Sequence, residues 1–307
     1  MNTGVDTMDT RPTTAPPEGA SHDVARRLLQ ASPPLDSQTS ITWDTTAPDD
    51  AWYCVPERLP LFGTPLWQRM NDKQRRETSR RELASMMGLA LWSELLLMET
   101  FARHLTRRDP KDPRTQYALT EISEEARHSA MFSKLLDRLD CPDYRPPAAL
   151  HRAAACFLPS RDDLTFATPL IFEEVLDRFQ REAARDDRVH PLVRQVCQIH
   201  VAEEARHITF ARSAMRDAVR RTSPARLAVQ RQRMGVRAMA ATRLLVNTHV
   251  YRDMGLDPRA ARSQVRANPH FRETLLWSGA KVVPFLTDIG MITSTERHWW
   301  RHAGLLQ

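Results

Sequence analysis

The pentapeptide Glu-Glu-Ala-Arg-His occurs twice in the chain, as Glu124 to His128 and as Glu203 to His207. Each copy contains a Glu-x-x-His pair, and on a helix residues i and i+3 lie on one face. Two helices that each offer a carboxylate and an imidazole supply half of a dinuclear iron or manganese site in a four-helix bundle. The other half is one glutamate from each of two further helices. A chain built on this pattern needs four long helices whose polar stripes converge.

Composition agrees with an all-α fold. The chain has 307 residues but only nine glycines, too few for a strand-and-turn protein, and long Leu/Ala/Arg/Glu stretches favour helix. Of the 44 basic residues behind the formal charge of +6, the lysines are Lys73, Lys111, Lys134 and Lys281 alone. The arginines alternate with acids along helices as a solvated face does, so no nucleic-acid partner is expected. The cysteines (Cys54, Cys141, Cys156, Cys197) show no C-x-x-C spacing, which argues against disulfides and zinc. No apolar run reaches the ~20 residues of a membrane span, and the N-terminus lacks the basic and apolar regions of a signal peptide. A reduced cytoplasmic location and no membrane association are expected.

Residues 1–50, rich in Thr, Pro, Ser and Asp, read as a flexible tail with a short helical possibility at Val24 to Leu29. Residues 51–307 read as one helical domain. Breakers divide it into long helices from about Trp67 to Arg107 (kinked at Gly88), Pro113 to Leu139, Asp163 to Asp186 and Pro191 to Arg221. A short helix near Ala148 to Phe157 intervenes. A fifth long helix follows Pro224 to about Met254, and then a less regular C-terminal region.

The second and fourth long helices carry the repeat. Spacing selects Glu125 with His128, and Glu204 with His207. His200, one turn before Glu204, extends the second copy into a stripe at i, i+4, i+7, whereas the first copy is not extended. On the first helix Glu94 interrupts an apolar run from Met86 to Met98, as an inward ligand would. Glu99 is its competitor, but five residues turn it about 140° away. On the third helix one of Glu173 and Glu174 completes the set. Four carboxylates and three imidazoles suit iron. Glu124 and Glu203 are left to surface salt bridges or to supporting a ligating histidine.

These residues resemble the di-iron N-oxygenases typified by the p-aminobenzoate N-oxygenase of aureothin biosynthesis, a ferritin-like family, over roughly residues 65–290. The most specific part runs from Glu173 to His207, where a helical glutamate precedes His-x-x-x-Glu-x-x-His. The resemblance implies a ferritin-like bundle with additional helices, holding two iron ions through Glu94, Glu125, His128, Glu173, His200, Glu204 and His207. His200 is then the third histidine that separates this family from two-histidine ferritins and oxygenases. Family members acting on aminobenzoate bind its carboxylate through polar and basic residues, one following a Ser-Gly-Ala stretch. Here Lys281 follows Ser278-Gly279-Ala280, and a methionine near Met86 replaces an expected tyrosine. Lys281 and Met86 are therefore the candidate substrate residues.

The resemblance further implies oxidation of a small amine by O2, as in secondary metabolism and antibiotic biosynthesis, and a homodimer. Electrons would come from an external donor such as a ferredoxin or reductase, since no G-x-G-x-x-G fingerprint occurs. A C–H hydroxylase or desaturase, or a non-catalytic iron-binding bundle, are the alternatives on the same scaffold. Trp277, Trp299 and Trp300 are expected in core or dimer packing.

Overall fold

Prolines begin six of the thirteen α-helices among the described residues, and before five of them a polar side chain satisfies an exposed amide. Thr64, Asp112, His190, Asp257 and Asn268 accept from the backbone N–H of Trp67, Arg114, Leu192, Arg259 and His270, each immediately before a proline. Proline at the first helical position forfeits no hydrogen bond there, and its fixed φ already suits the helix.

The structure is a computed structural model that describes residues 19–33, 40–157 and 163–307. In chain order the helices are α1 (Gly19–Ala31), α2 (Pro65–Arg69), α3 (Asp72–Leu105), α4 (Pro113–Leu139), α5 (Ala148–Phe157), α6 (Ala167–Ala183) and α7 (Pro191–Arg221). There follow α8 (Pro224–Leu244), α9 (Thr248–Asp253), α10 (Pro258–Ala267), α11 (Pro269–Ser278), α12 (Val282–Asp288) and α13 (Arg297–His302). Among the described residues the only β pairing is a single bridge between Trp52 and Val189. The fold is all-α and ferritin-like: α3 pairs with α4 and α6 with α7, while α4–α7 and α3–α6 contacts close the ring.

Several boundaries differ from the sequence reading. The first long helix splits at Met70–Asn71, where Asn71 and Gln74 form a capping box that starts α3. Helix α3 runs through Gly88 without a break. A Cβ at Gly88 would lie 3.1 Å from Arg145 Cγ, so the glycine admits the loop after α4 close to the helix. The expected fifth helix is two, because Asn247 caps α9 and also donates to the Tyr144 carbonyl. The C-terminal region is built of short helices, not irregular chain. Trp300 is fully buried, Trp299 donates to Gln232 on α8, and Trp277 lies between Arg58 and Arg178.

The proposed tail also needs correction. Residues 19–31 form α1, which packs on α4 and α7 and buries Ala25 and Ser21. Residues 40–50 are docked too: Thr42 N donates to Gln195 and Lys134 sits over the Trp43 ring. The rest of the expected tail, residues 1–18 and 34–39, lies outside the described residues.

Candidate metal centre

Each of the four core helices sends an acidic side chain into the bundle centre. Glu94 (α3), Glu125 and His128 (α4), and His200, Glu204 and His207 (α7) are all buried. Glu173 (α6) has a partly exposed stem, but both its carboxylate oxygens are buried without a hydrogen-bond partner. The seven side chains expected from the sequence thus converge. One donor atom each from Glu125, His128, Glu204 and His207 fall within 4.8 Å of one another. So do those of Glu94, His128 and His200, and of Glu121, Glu125 and Glu173.

Glu125 is central. Its Oε2 lies 2.8 Å from His128 Nδ1 and its Oε1 lies 2.8 Å from His207 Nδ1. The second contact has no hydrogen-bond alignment, leaving Oε1 unpartnered. His200 Nε2 is 3.4 Å from Glu94 and 3.7 Å from Glu204, again without a hydrogen bond. The His128 and His200 rings are 4.5 Å apart. Donor atoms that are packed together yet not aligned on each other are arranged for a shared cation.

Two competitors fall away. Glu99 pairs with Arg103 and with His151 at 3.2 Å on the outside of the bundle. Glu174 is held by Arg212, with one oxygen 2.7 Å from its Nε.

The remaining residues of the pentapeptides are also used. His207 Nε2 lies 2.6 Å from Glu124, and His128 Nε2 lies 2.9 Å from Glu203. The first glutamate of each copy therefore supports the histidine of the other copy. The arginines cross in the same way: Arg206 donates to Glu124 at 2.8 Å, and Arg127 donates to Glu203 at 3.3 Å. Glu124 and Glu203 are buried, so the surface salt-bridge reading fails and histidine support holds. All four polar positions of each copy have work, not only Glu-x-x-His. With Nε2–H given to a carboxylate, Nδ1 is left to face the centre.

Electrostatics show what the cluster lacks. Burial, then Glu125, pushes Glu94 well above the usual carboxylate range, and burial with Glu204 does the same to Glu173. Burial also raises Glu125, but His207 and His128 outweigh it and hold it well below. Burial lowers His128, yet Glu125 and Glu203 bring it up to about 9. Burial, reinforced by His128, holds His200 well below its ordinary value. The carboxylates outnumber the available protein cations, and a dry site of this kind is strongly penalised without compensating charge. Two divalent ions would supply that charge, and the mixed nitrogen and oxygen donors fit iron or manganese.

Sequence reasoning missed Glu121. It is 1% exposed, has both oxygens unpartnered, and stands one turn before Glu125. That is the position His200 holds before Glu204, so both copies are extended upstream, one by glutamate and one by histidine. The signal was the matching i−4 position.

Two cavities lie along α3 and α6. One reaches Glu94 and Glu173 and is lined by Ser93, Leu97, Pro169 and Phe172. The other lies farther along the same helices, against Glu82, Met86, Met87, Phe179 and Cys197. Met86 lines that second cavity, whose lining includes none of the seven converging side chains. Lys281 does not: it is exposed at the start of α12, where its carbonyl accepts from Arg212.

Comparison with known proteins places this arrangement in context. The family described as p-aminobenzoate N-oxygenase AurF matches residues 18–290. Uncharacterized proteins of Mycobacterium bovis and Mycobacterium tuberculosis are 27% identical over 186 residues, 58% of this chain and 55% of theirs. The chain spans about half the length of these curated relatives. No helix among the described residues is long and apolar enough to cross a membrane.

Proposed function

The chain belongs to the p-aminobenzoate N-oxygenase family, and on that premise we propose that it is a non-haem di-iron oxygenase acting with O2 on the nitrogen of a small amine. The observation that carries this reading is His200. It adds a third imidazole, beside Glu94 and His128, to a centre that a two-histidine bundle would complete without it.

Glu94, His128 and His200 would hold one iron, and Glu173, Glu204 and His207 the other, with Glu125 between them. Bound iron would supply activation of O2 and the redox chemistry of the reaction. The chain's own part is orientation and exclusion. Glu124 and Glu203 hold His207 and His128 in one ring orientation, and Arg206 and Arg127 each donate a further hydrogen bond to those carboxylates. Leu97, Pro169 and Phe172 keep water from the face where Glu94 and Glu173 meet a cavity. The mostly apolar lining beyond it, with Met86, Met87 and Phe179, suits an amine with an apolar body. Electrons come from an external donor such as a ferredoxin or reductase, and the working form is a homodimer.

The test is to load the protein with ferrous iron, reduce it, and expose it to O2 with a panel of aromatic and aliphatic amines. Products heavier by one or two oxygens on nitrogen are expected. Oxygen placed on carbon would make the chain a C–H hydroxylase instead, and no product from any amine would overturn the reading.

A further inference from the structure

We propose that Glu121 is an eighth ligand of the metal centre, serving the metal on the Glu173 side as His200 serves the metal on the Glu94 side. The inference rests on the two-metal reading above and extends it. Residues 121 and 200 are 79 apart, as are 125 and 204, and 128 and 207. Glu121, Glu125 and His128 therefore form on α4 the same stripe that His200, Glu204 and His207 form on α7. The two stripes face each other where α4 and α7 pack.

The surroundings of Glu121 give it nothing else to do. Neither of its oxygens has a hydrogen-bond partner, and the side chain is shut off from solvent. Tyr117, one turn earlier on the same helix, is also buried with an unpartnered hydroxyl. Arg206, the nearby cation, is committed to Glu124. One oxygen each of Glu121, Glu125 and Glu173 lie within 4.8 Å of one another. Three buried carboxylates at that separation repel strongly, and a divalent cation between them reverses the sign of the interaction.

The centre is then unequal by design of its sequence. The metal near Glu94 sees two imidazoles, from His128 and His200. The metal near Glu173 would see one imidazole, from His207, and the Glu121 carboxylate where the first has His200. Nitrogen-rich and oxygen-rich sites differ in their metal preference, so the two positions should fill with different affinities.

Anaerobic titration of the metal-free full chain with ferrous iron, read by bound metal per chain, tests this. Wild type should bind two irons. Glu121→Gln should bind one as wild type does and the second more than about tenfold more weakly, at least the loss seen when only a ligand's support is removed. His200→Ala should weaken one site, and the double variant both. Glu121→Gln with two wild-type affinities overturns the proposal, as does a double variant that weakens only one site. Should the variant not fold by circular dichroism, a crystal of iron-loaded wild type decides. A Glu121 oxygen about 2.0–2.2 Å from a metal supports the proposal, and one turned away from both metals overturns it. Wild type binding fewer than two irons would instead sink the two-metal reading itself.

Discussion

Glu203 and Glu124 hold the histidines of the opposite helix, and this crossed support is the residue-level core of the account. Glu203→Gln and Glu124→Gln keep the size of the side chain and a hydrogen-bond acceptor but remove the charge. Each is expected to weaken metal binding about 10–100-fold in an iron titration. Glu99→Gln, on an exposed pair with Arg103, is expected to leave it unchanged, and equal affinity across the three variants would contradict the assignment. The sequence showed Glu125, His128, Glu204 and His207 through spacing on one helix, and Glu94 through its break in an apolar run. Sequence reasoning passed over Glu121, whose signal was the i−4 position matching His200, and offered histidine support for Glu124 and Glu203 only beside a surface salt-bridge reading. Their partners lie across the bundle on another helix, and single-helix periodicity carries no information about that neighbour.

At the scale of elements, the C-terminal helices clamp the bundle through α8. A Cβ at Gly235 would stand 2.7 Å from Trp299 Cβ, closer than real contacts allow, so only glycine lets α13 lie against α8. Gly235→Ala is expected to destabilise the protein by about 1–3 kcal/mol through overpacking, measured by denaturant unfolding. Combined with Trp299→Gly the loss should be clearly less than additive, since the Cβ and ring atoms that the new methyl group meets are then all removed. The starts of α4, α7 and α8 were legible because a proline marks each of them. The break between α8 and α9 was not, because Leu245-Val246-Asn247 contains no proline or glycine and the stop depends on Asn247 bonding to Tyr144. The short C-terminal helices had readable starts at Asp257-Pro258 and Asn268-Pro269 that the irregular reading passed over.

At the scale of the whole molecule, α1 and residues 40–50 pack on the bundle, although their polar composition suggested a tail. Few apolar side chains suffice when the receiving surface already exists: Ala25 and Trp43 dock onto helices that the core has formed. The molecule also buries a carboxylate that the metal centre does not use. Burial pushes Glu82 up from 4.5 to about 8, offset in part by the Tyr251 hydroxyl. Between those values the folded chain binds more protons than the unfolded one, so stability falls as pH rises from about 4.5 to about 8. Glu82→Gln removes that dependence. Its melting temperature should match wild type near the lower limit and exceed it near the upper by at least about 2–4 °C, the shift expected per kcal/mol in a chain of this size. A constant difference across the range would contradict the assignment. The expectations for the metal centre depend on two copies of one pentapeptide building one two-metal site. An iron-edge anomalous difference map from crystals of the ferrous-loaded protein tests that claim most directly. The account predicts two peaks about 3.5–4 Å apart, both beside Glu125, with His128 and His200 at one and His207 at the other. A single peak, or none among these residues, would contradict it.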